Sequence, residues 1–255
     1  NAYLQIISSL EGYEAGEMVP VSLTVSAPEA EEAILVTGSH DPVLDHLAEL
    51  AKRDHVEVHS NHVGSMGGII ALKRNDCHAA PIHLLAPDGD YNIPYLMKYL
   101  PREEVELICV AGREQGIVSQ KGISIDDLPG TSFINRQKGS GTRVLLDHEL
   151  RLREISTGDI PGYDREATTH IGVALAVKTG EAEAGMCVYS AAKALGLPFV
   201  PVAKERYELA IRREHMEDPR IQSLLDAIRS PHFREVLGQL GGYDDSITGV
   251  QRKVP

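Results

Sequence analysis

The sequence predicts an α/β protein of two doubly wound lobes, preceded by a short β-rich leader. Three observations predict it. Apolar runs of strand length alternate with stretches of helical period from residue 33 onward, short Gly- and Ser-bearing loops join them, and the alternation restarts after residue 111. Strand–helix–strand units with short loops imply parallel pairing through right-handed crossovers. Sheets of that kind bind ligands at the carboxyl ends of their strands.

Residues 1–27 form the leader, with strand candidates at 3–10 and 19–25 around a turn at 11–17. Two strands alone hold no core, so the leader is expected to pack on something else. The acidic, Ala-rich residues 28–32 read as a linker. A buried-strand run at 33–37 ends in Gly38-Ser39-His40-Asp41-Pro42, and a helix follows with Val43, Leu44, Leu47, Leu50 and Ala51 at helical spacing. Residues 56–59 make the next strand, Gly64-Ser65-Met66-Gly67-Gly68 opens a second helix, and 78–83 make a third strand. The second unit starts after a strand at 105–110, with 111–116 as a crossing. A strand at 130–135 runs into Arg136-Gln137-Lys138-Gly139-Ser140-Gly141-Thr142-Arg143 and a helix carrying Val144, Leu145, Leu146 and Leu150. Ala167-Thr168-Thr169-His170 precedes an apolar helix, and 184–188 is again a strand. Residues 199–202 read as the return crossing, 207–211 as a strand, and 219–229 and 231–240 as closing amphipathic helices. The lobes are therefore bounded as 28–111 with 201–255, and 112–200.

Composition excludes several function classes. The net charge is −12, and no long basic run offers a nucleic-acid or anionic-membrane surface. No window approaches the roughly 20 apolar residues of a membrane span, and no leader of secretory type opens the chain, so the expected location is the cytoplasm. The absence of Trp and the presence of only three Phe argue against a base-stacking platform. Cys77, Cys109 and Cys187 are far apart without a CxxC, so buried reduced thiols are expected rather than zinc or disulfides. Among eleven histidines, His55, His59 and His62 cluster. Neither HExxH nor a carboxylate at metal spacing accompanies them, and no metal site is assigned.

The chemistry lies in four strand-to-helix junctions: Gly38-Ser39-His40, Gly64-Ser65-Met66-Gly67-Gly68, Gly139-Ser140-Gly141-Thr142 and Thr168-Thr169-His170. The first turn of a helix carries unpaired N–H donors and a partial positive charge, which together attract an anion. Each hydroxyl taken singly reads as an N-cap, worth about 1 kcal/mol. Four junctions, two from each lobe, point instead to a shared ligand, and a plain cap needs no glycine on both sides of Ser140. His83 and His170 are placed to donate to an oxyanion, and Arg136, at a strand end, to neutralise it. Arg143 reads as a surface charge. No Walker loop, GxGxxG or GxSxG occurs, and a Ser140–His170 hydrolase pair lacks an orienting acid, so no catalytic residue is assigned.

The loop from Asn135 to Arg143, with Ala80-Pro81-Ile82-His83-Leu84-Leu85 and Tyr91-Asn92 before it and Gly242-Tyr243-Asp244-Asp245-Ser246-Ile247-Thr248-Gly249 at the end, resembles the periplasmic-binding-protein-like domain associated with molybdate. That family is found fused behind MoeA-type molybdenum transferases or DNA-binding molybdate regulators. The resemblance implies a type II binding-protein fold, two lobes joined by two crossings. It implies no tightly bound cofactor but a small oxyanion, molybdate or tungstate, held as sensor, store or delivery module of molybdenum cofactor biosynthesis. Leu10-Glu11-Gly12-Tyr13-Glu14-Ala15-Gly16-Glu17-Met18-Val19 is similar to the last β-segment of the transferase, which makes an upstream transferase domain the expected partner. The expected ligand-binding set is Ser39, His40, Ser65, Met66, His83, Arg136, Ser140, Gly141, Thr142, Thr169, His170 and Tyr189. The alternative is an effector domain similar to LysR-type regulators, binding an organic metabolite or cofactor precursor in a larger pocket lined by Tyr91, Tyr189 and Met66.

Overall fold

The computed structural model describes residues 2–8, 10–14, 16–101 and 104–255, so positions 1, 9 and 15 of the expected leader lie outside the described residues. Pairing in the leader shrinks to β1 (Ala2–Tyr3) against β2 (Ser22–Leu23), antiparallel. The longer strands expected at 3–10 and 19–25 are not formed, and Leu4, Ile6, Ile7 and Leu10 are exposed. A ladder that covers neither of its faces has no burial to lengthen it. The expected linker is instead α1 (Ala27–Glu32). Ser26 and Glu29 form a capping box, with Pro28 in the first turn, and such a start suffices for a short helix.

The first half then follows the predicted order: β3 (Ile34–Gly38), α2 (Pro42–Arg53), β4 (Val58–His62), α3 (Gly64–Arg74), β5 (Ala79–Ile82) and an unforeseen α4 (Ile93–Tyr99). Strand β3 is parallel to both β4 and β5. Next comes β6 (Val105–Ser119), then β7 (Phe133–Arg136), α5 (Gly141–Leu152), β8 (Glu166–Ala167), α6 (His170–Lys178), β9 (Ala184–Val188) and α7 (Tyr189–Ala194). Here β7 is parallel to β8 and β9. The chain closes with β10 (Phe199–Arg212), α8 (Pro219–Arg229), α9 (Pro231–Leu240), β11 (Tyr243–Asp244) and β12 (Gln251–Lys253).

The two crossings are not loops. Strands β6 and β10 pair antiparallel from Phe199↔Val118 to Arg212↔Val105, with register shifts at Pro201/Ala203 and Tyr207/Glu208. They absorb the predicted strand 105–110 and crossing 111–116 into one element, and 199–202 and 207–211 into another. One continuous sheet results, ordered β4-β3-β5-β10-β6-β9-β7-β8, with β11 and β12 also on β6. Helices cover both faces of each half. Leu44 and Leu47 of α2 pack with Ile34, Val36 and the α8 residues Leu224 and Leu225, while Ile69, Leu72 and Leu96 pack on the other side with Ala80 and Ile82. In the second half, Val173 and Val177 join Cys187 and Val188 on one face, and Leu145, Leu146 and Phe133 join Met186 on the other. The three cysteines are buried and free, and burial pushes the thiols of Cys77 and Cys187 up to about 11 and about 12.

Candidate functional site

The glycine-bearing helix starts of the two halves meet. A Cβ on Gly64 would lie 3.6 Å from the Gly139 carbonyl oxygen, and one on Gly139 would lie 3.7 Å from the Met66 Cβ. At Gly141 a Cβ would fall 2.2 Å from the His83 carbonyl oxygen, so any side chain there would hold the halves apart.

Four hydroxyls at these helix starts and at the start of α6 use a lone pair and keep a proton. Ser140 Oγ caps α5 by accepting the Arg143 N–H at 3.2 Å, and Thr169 Oγ1 caps α6 by accepting the Gly172 N–H at 3.0 Å. Ser65 Oγ accepts the His83 N–H at 3.2 Å, and Thr142 Oγ1 accepts from Gln115 Nε2 at 3.0 Å. A hydroxyl has two lone pairs and one proton, so each O–H is still able to donate. Capping and anion binding are therefore compatible here, because they draw on different parts of the same group.

The first junction behaves differently, because the Ser39 hydroxyl is engaged within the chain. Its Oγ is 2.8 Å from His83 Nε2, and His83 Nδ1 is 2.9 Å from a Glu205 carboxylate oxygen. A carboxylate only accepts, so His83 carries its proton on Nδ1, Nε2 accepts, and the Ser39 proton is already used. The start of α2 is likewise filled from within, since the Asp41 carboxylate accepts the Val43 N–H at 2.9 Å. His40 stands half-buried at 3.4 Å from Asp45, its ring 4.1 Å from that of His62. Tyr189 packs edge-on against Phe199 with ring centroids 5.3 Å apart, and against Gly242. Arg143, expected at the surface, is buried. Its guanidinium lies over the Tyr163 ring at 4.0 Å and pairs with Asp147 at 3.5 Å, because the helix turns it into the protein.

Sequence reasoning missed the residues of the crossings. Arg113 on β6 donates to both Glu205 and Asp41, and its guanidinium sits 4.2 Å from the Tyr207 ring centroid. Gln115 Nε2 donates to Glu205 at 2.8 Å as well as to Thr142. The Tyr243 O–H donates to Asp41 at 2.7 Å and lies 2.9 Å from Ser190 Oγ. Arg113 and Gln115 alternate on one face of β6, and a two-residue polar period inside a buried run was the available signal. Burial alone would raise the Glu205 carboxyl, but Arg113 and His83 beside it hold it down at about 2.

Arg136 ends β7 and is 1% exposed. It donates to the Gln137 side-chain oxygen at 3.2 Å and the Thr168 carbonyl at 3.1 Å, but among the described residues no carboxylate forms an ion pair with it. Burial, then the Arg113 cation, pulls its pKa down to about 10. Arg136 Nη1, Arg113 Nη2, Gln115 Oε1 and both ring nitrogens of His170 are buried without a hydrogen-bond partner among the described residues. Unmade hydrogen bonds on buried polar atoms are costly, and those on Arg136, Arg113 and His170 belong to residues close enough to perturb one another's charge.

The profile of the PBP superfamily domain matches residues 47–229. The chain is 28% identical over 246 residues to protein YvgK of Bacillus subtilis, spanning 92% of this chain and 78% of that one. Among solved structures, a phosphate-bound substrate-binding protein of a phosphate ABC transporter from Clostridium perfringens superposes with a TM-score of 0.65 at 14% identity, over 83% of this chain and 98% of that one. A protein of the tungstate ABC transporter from Geobacter sulfurreducens gives 0.54 at 17% identity, over 82% and 99%. The likeness at these identities is one of fold, and it is the type II binding-protein fold the sequence led us to expect.

Proposed function

We propose that this chain, which belongs to the PBP superfamily, binds a small oxyanion between its two halves. The observation that carries the reading is Arg136, a buried cation whose Nη1 has no hydrogen-bond partner and which forms no ion pair with a carboxylate among the described residues. Burying an unpaired charge costs several kcal/mol, and an incoming anion would remove that cost. The free O–H groups of Ser65, Ser140, Thr142 and Thr169 and the first-turn N–H groups of α3, α5 and α6 supply the remaining donors.

Phosphate and tungstate named for the two structural neighbours fit this donor set. The family resemblance alone adds molybdate beside tungstate as the ligand, and a cytoplasmic role in molybdenum cofactor biosynthesis, as sensor, store or delivery module beside a transferase domain. The region 28–111 with 201–255 and the region 112–200 would then be the two lobes that close on the anion. The roomier effector pocket is less well supported, since Tyr91 is buried with its O–H on the Lys204 carbonyl and Tyr189 is packed on Phe199.

Ser39, His83 and Glu205 form a hydroxyl–imidazole–carboxylate chain, yet binding explains it better than hydrolysis. Ser39 is fully buried, and its backbone N–H is taken by the Pro81 carbonyl at 2.8 Å, so it cannot serve an oxyanion hole. Calorimetric titration with molybdate, tungstate, sulfate and phosphate tests the reading. Heat from at least one, lost in Arg136→Met, is expected, and silence from all four overturns it.

A further inference from the structure

We infer that His170 takes up a proton when the anion enters, so that the oxyanion is held by an imidazolium and its binding is coupled to pH. The inference rests on the oxyanion reading above.

His170 is the first residue of α6 and is 1% exposed, with neither ring nitrogen hydrogen-bonded among the described residues. A neutral imidazole presents one N–H and one bare lone pair, whereas a deprotonated oxyanion only accepts. By choice of tautomer the neutral ring can turn its one N–H to the anion, but it adds no charge and leaves the other nitrogen without a proton to donate. Protonation makes both nitrogens donors and places a positive charge beside the anion.

The groups that act on His170 come from several elements: Arg136 from β7, Arg113 from β6, His83 from the end of β5 and His40 from the loop after β3. Burial first, and then these neighbours, hold its pKa well below the ordinary value in the free protein. Arg113 faces two carboxylates, Asp41 and Glu205, which more than cancel its charge, so among the described groups that act on His170 the one cation without an ion pair is Arg136. A second positive charge is needed close to the anion, and His170 can supply it without breaking a contact. His83 is the competing position. Its Nε2 already accepts from Ser39 and its Nδ1 donates to Glu205, so a proton added there must displace an existing hydrogen bond.

The sign follows from linkage. A group whose pKa is low in the free protein and raised in the complex makes binding stronger as pH falls, by up to about tenfold per unit between the two values.

The test is calorimetry on the full chain with tungstate, which holds no proton of its own over about pH 6.5–8.5, in two buffers of different ionisation heat. Uptake approaching one proton per anion is expected, with Kd rising toward tenfold per pH unit. His170→Gln should bind tungstate more weakly at the lower pH values, with no uptake and a flat pH profile. Tungstate binding without uptake in the wild type overturns the inference and leaves the oxyanion reading standing. Uptake retained in His170→Gln also overturns it, moving the proton to His83. Binding of phosphate alone overturns it too, because that anion brings its own proton, and silence from every oxyanion sinks both readings. Should His170→Gln fail to fold, nitrogen NMR of the wild-type imidazole decides. An imidazolium pattern on adding tungstate supports the inference, and a neutral pattern in the complex overturns it.

Discussion

Two arginines are buried in the same site and are treated in opposite ways. Arg113 has two carboxylates and an aromatic face, and although burial works against its charge, Glu205 and Asp41 outweigh that and raise its pKa. Arg136 has a carbonyl, an amide oxygen and an unpartnered nitrogen, and its pKa is lowered. The same side chain thus serves as scaffold in one place and as an open position in the other. What separates them is whether the fold places a carboxylate in an ion pair with the buried guanidinium.

Replacing each arginine breaks that comparison in a different observable. Arg113→Met strands Asp41 and Glu205 as buried charges, so it should cost about 3–5 kcal/mol of stability by urea denaturation. Arg136→Met removes a buried charge that, among the described residues, has no carboxylate in an ion pair with it. Its stability should be unchanged or higher, while oxyanion affinity falls about 100-fold or more in calorimetry. Equal stability losses in the two variants would erase the distinction.

The pH dependence sharpens it. Glu205 is held at about 2 in the folded protein against an ordinary 4.5. A depressed carboxyl contributes stability that is complete above its ordinary value and lost as pH falls toward the folded one. Melting temperature should therefore be steady near neutrality and drop below about pH 4.5. Glu205→Gln should flatten that acid limb and cost on the order of 1–3 kcal/mol near neutrality, less than Arg113→Met, because Asp41 still balances Arg113.

Much of this was legible in sequence where local signals are strong. Residues 184–188 are a short apolar run and became β9 with those bounds. The four junctions were found because glycine and hydroxyl residues mark strand-to-helix turns. The strand expected at 56–59 slid to Val58–His62, since an edge strand carries the polar Ser60, Asn61 and His62 without penalty. Arg113, Gln115 and Glu205 were hidden for a related reason. Polar residues in a chain crossing look like loop until the partner strand, some 90 residues away, supplies the opposite charges. No local pattern tells a paired arginine from an unpaired one, so the contrast between Arg113 and Arg136 exists only in the folded molecule.

The smallest effect separates the two uses of one hydroxyl at the Arg136 side of the site. Ser140→Ala removes both the lone pair that caps α5 and the proton offered to the ligand, so it should cost about 1 kcal/mol of stability and roughly tenfold in affinity. Ser140→Gly is the finer instrument. Glycine at an N-cap costs only a few tenths of a kcal/mol, yet it too lacks the O–H. If the proton serves the anion, the glycine variant keeps nearly all its stability and still loses about the same affinity as the alanine variant. If Ser140 is only a cap, the two variants differ in stability and neither changes binding. Ser39→Ala provides the contrast within the first junction. Its proton goes to His83 rather than to the ligand, so its loss should leave affinity much closer to wild type than either change at Ser140.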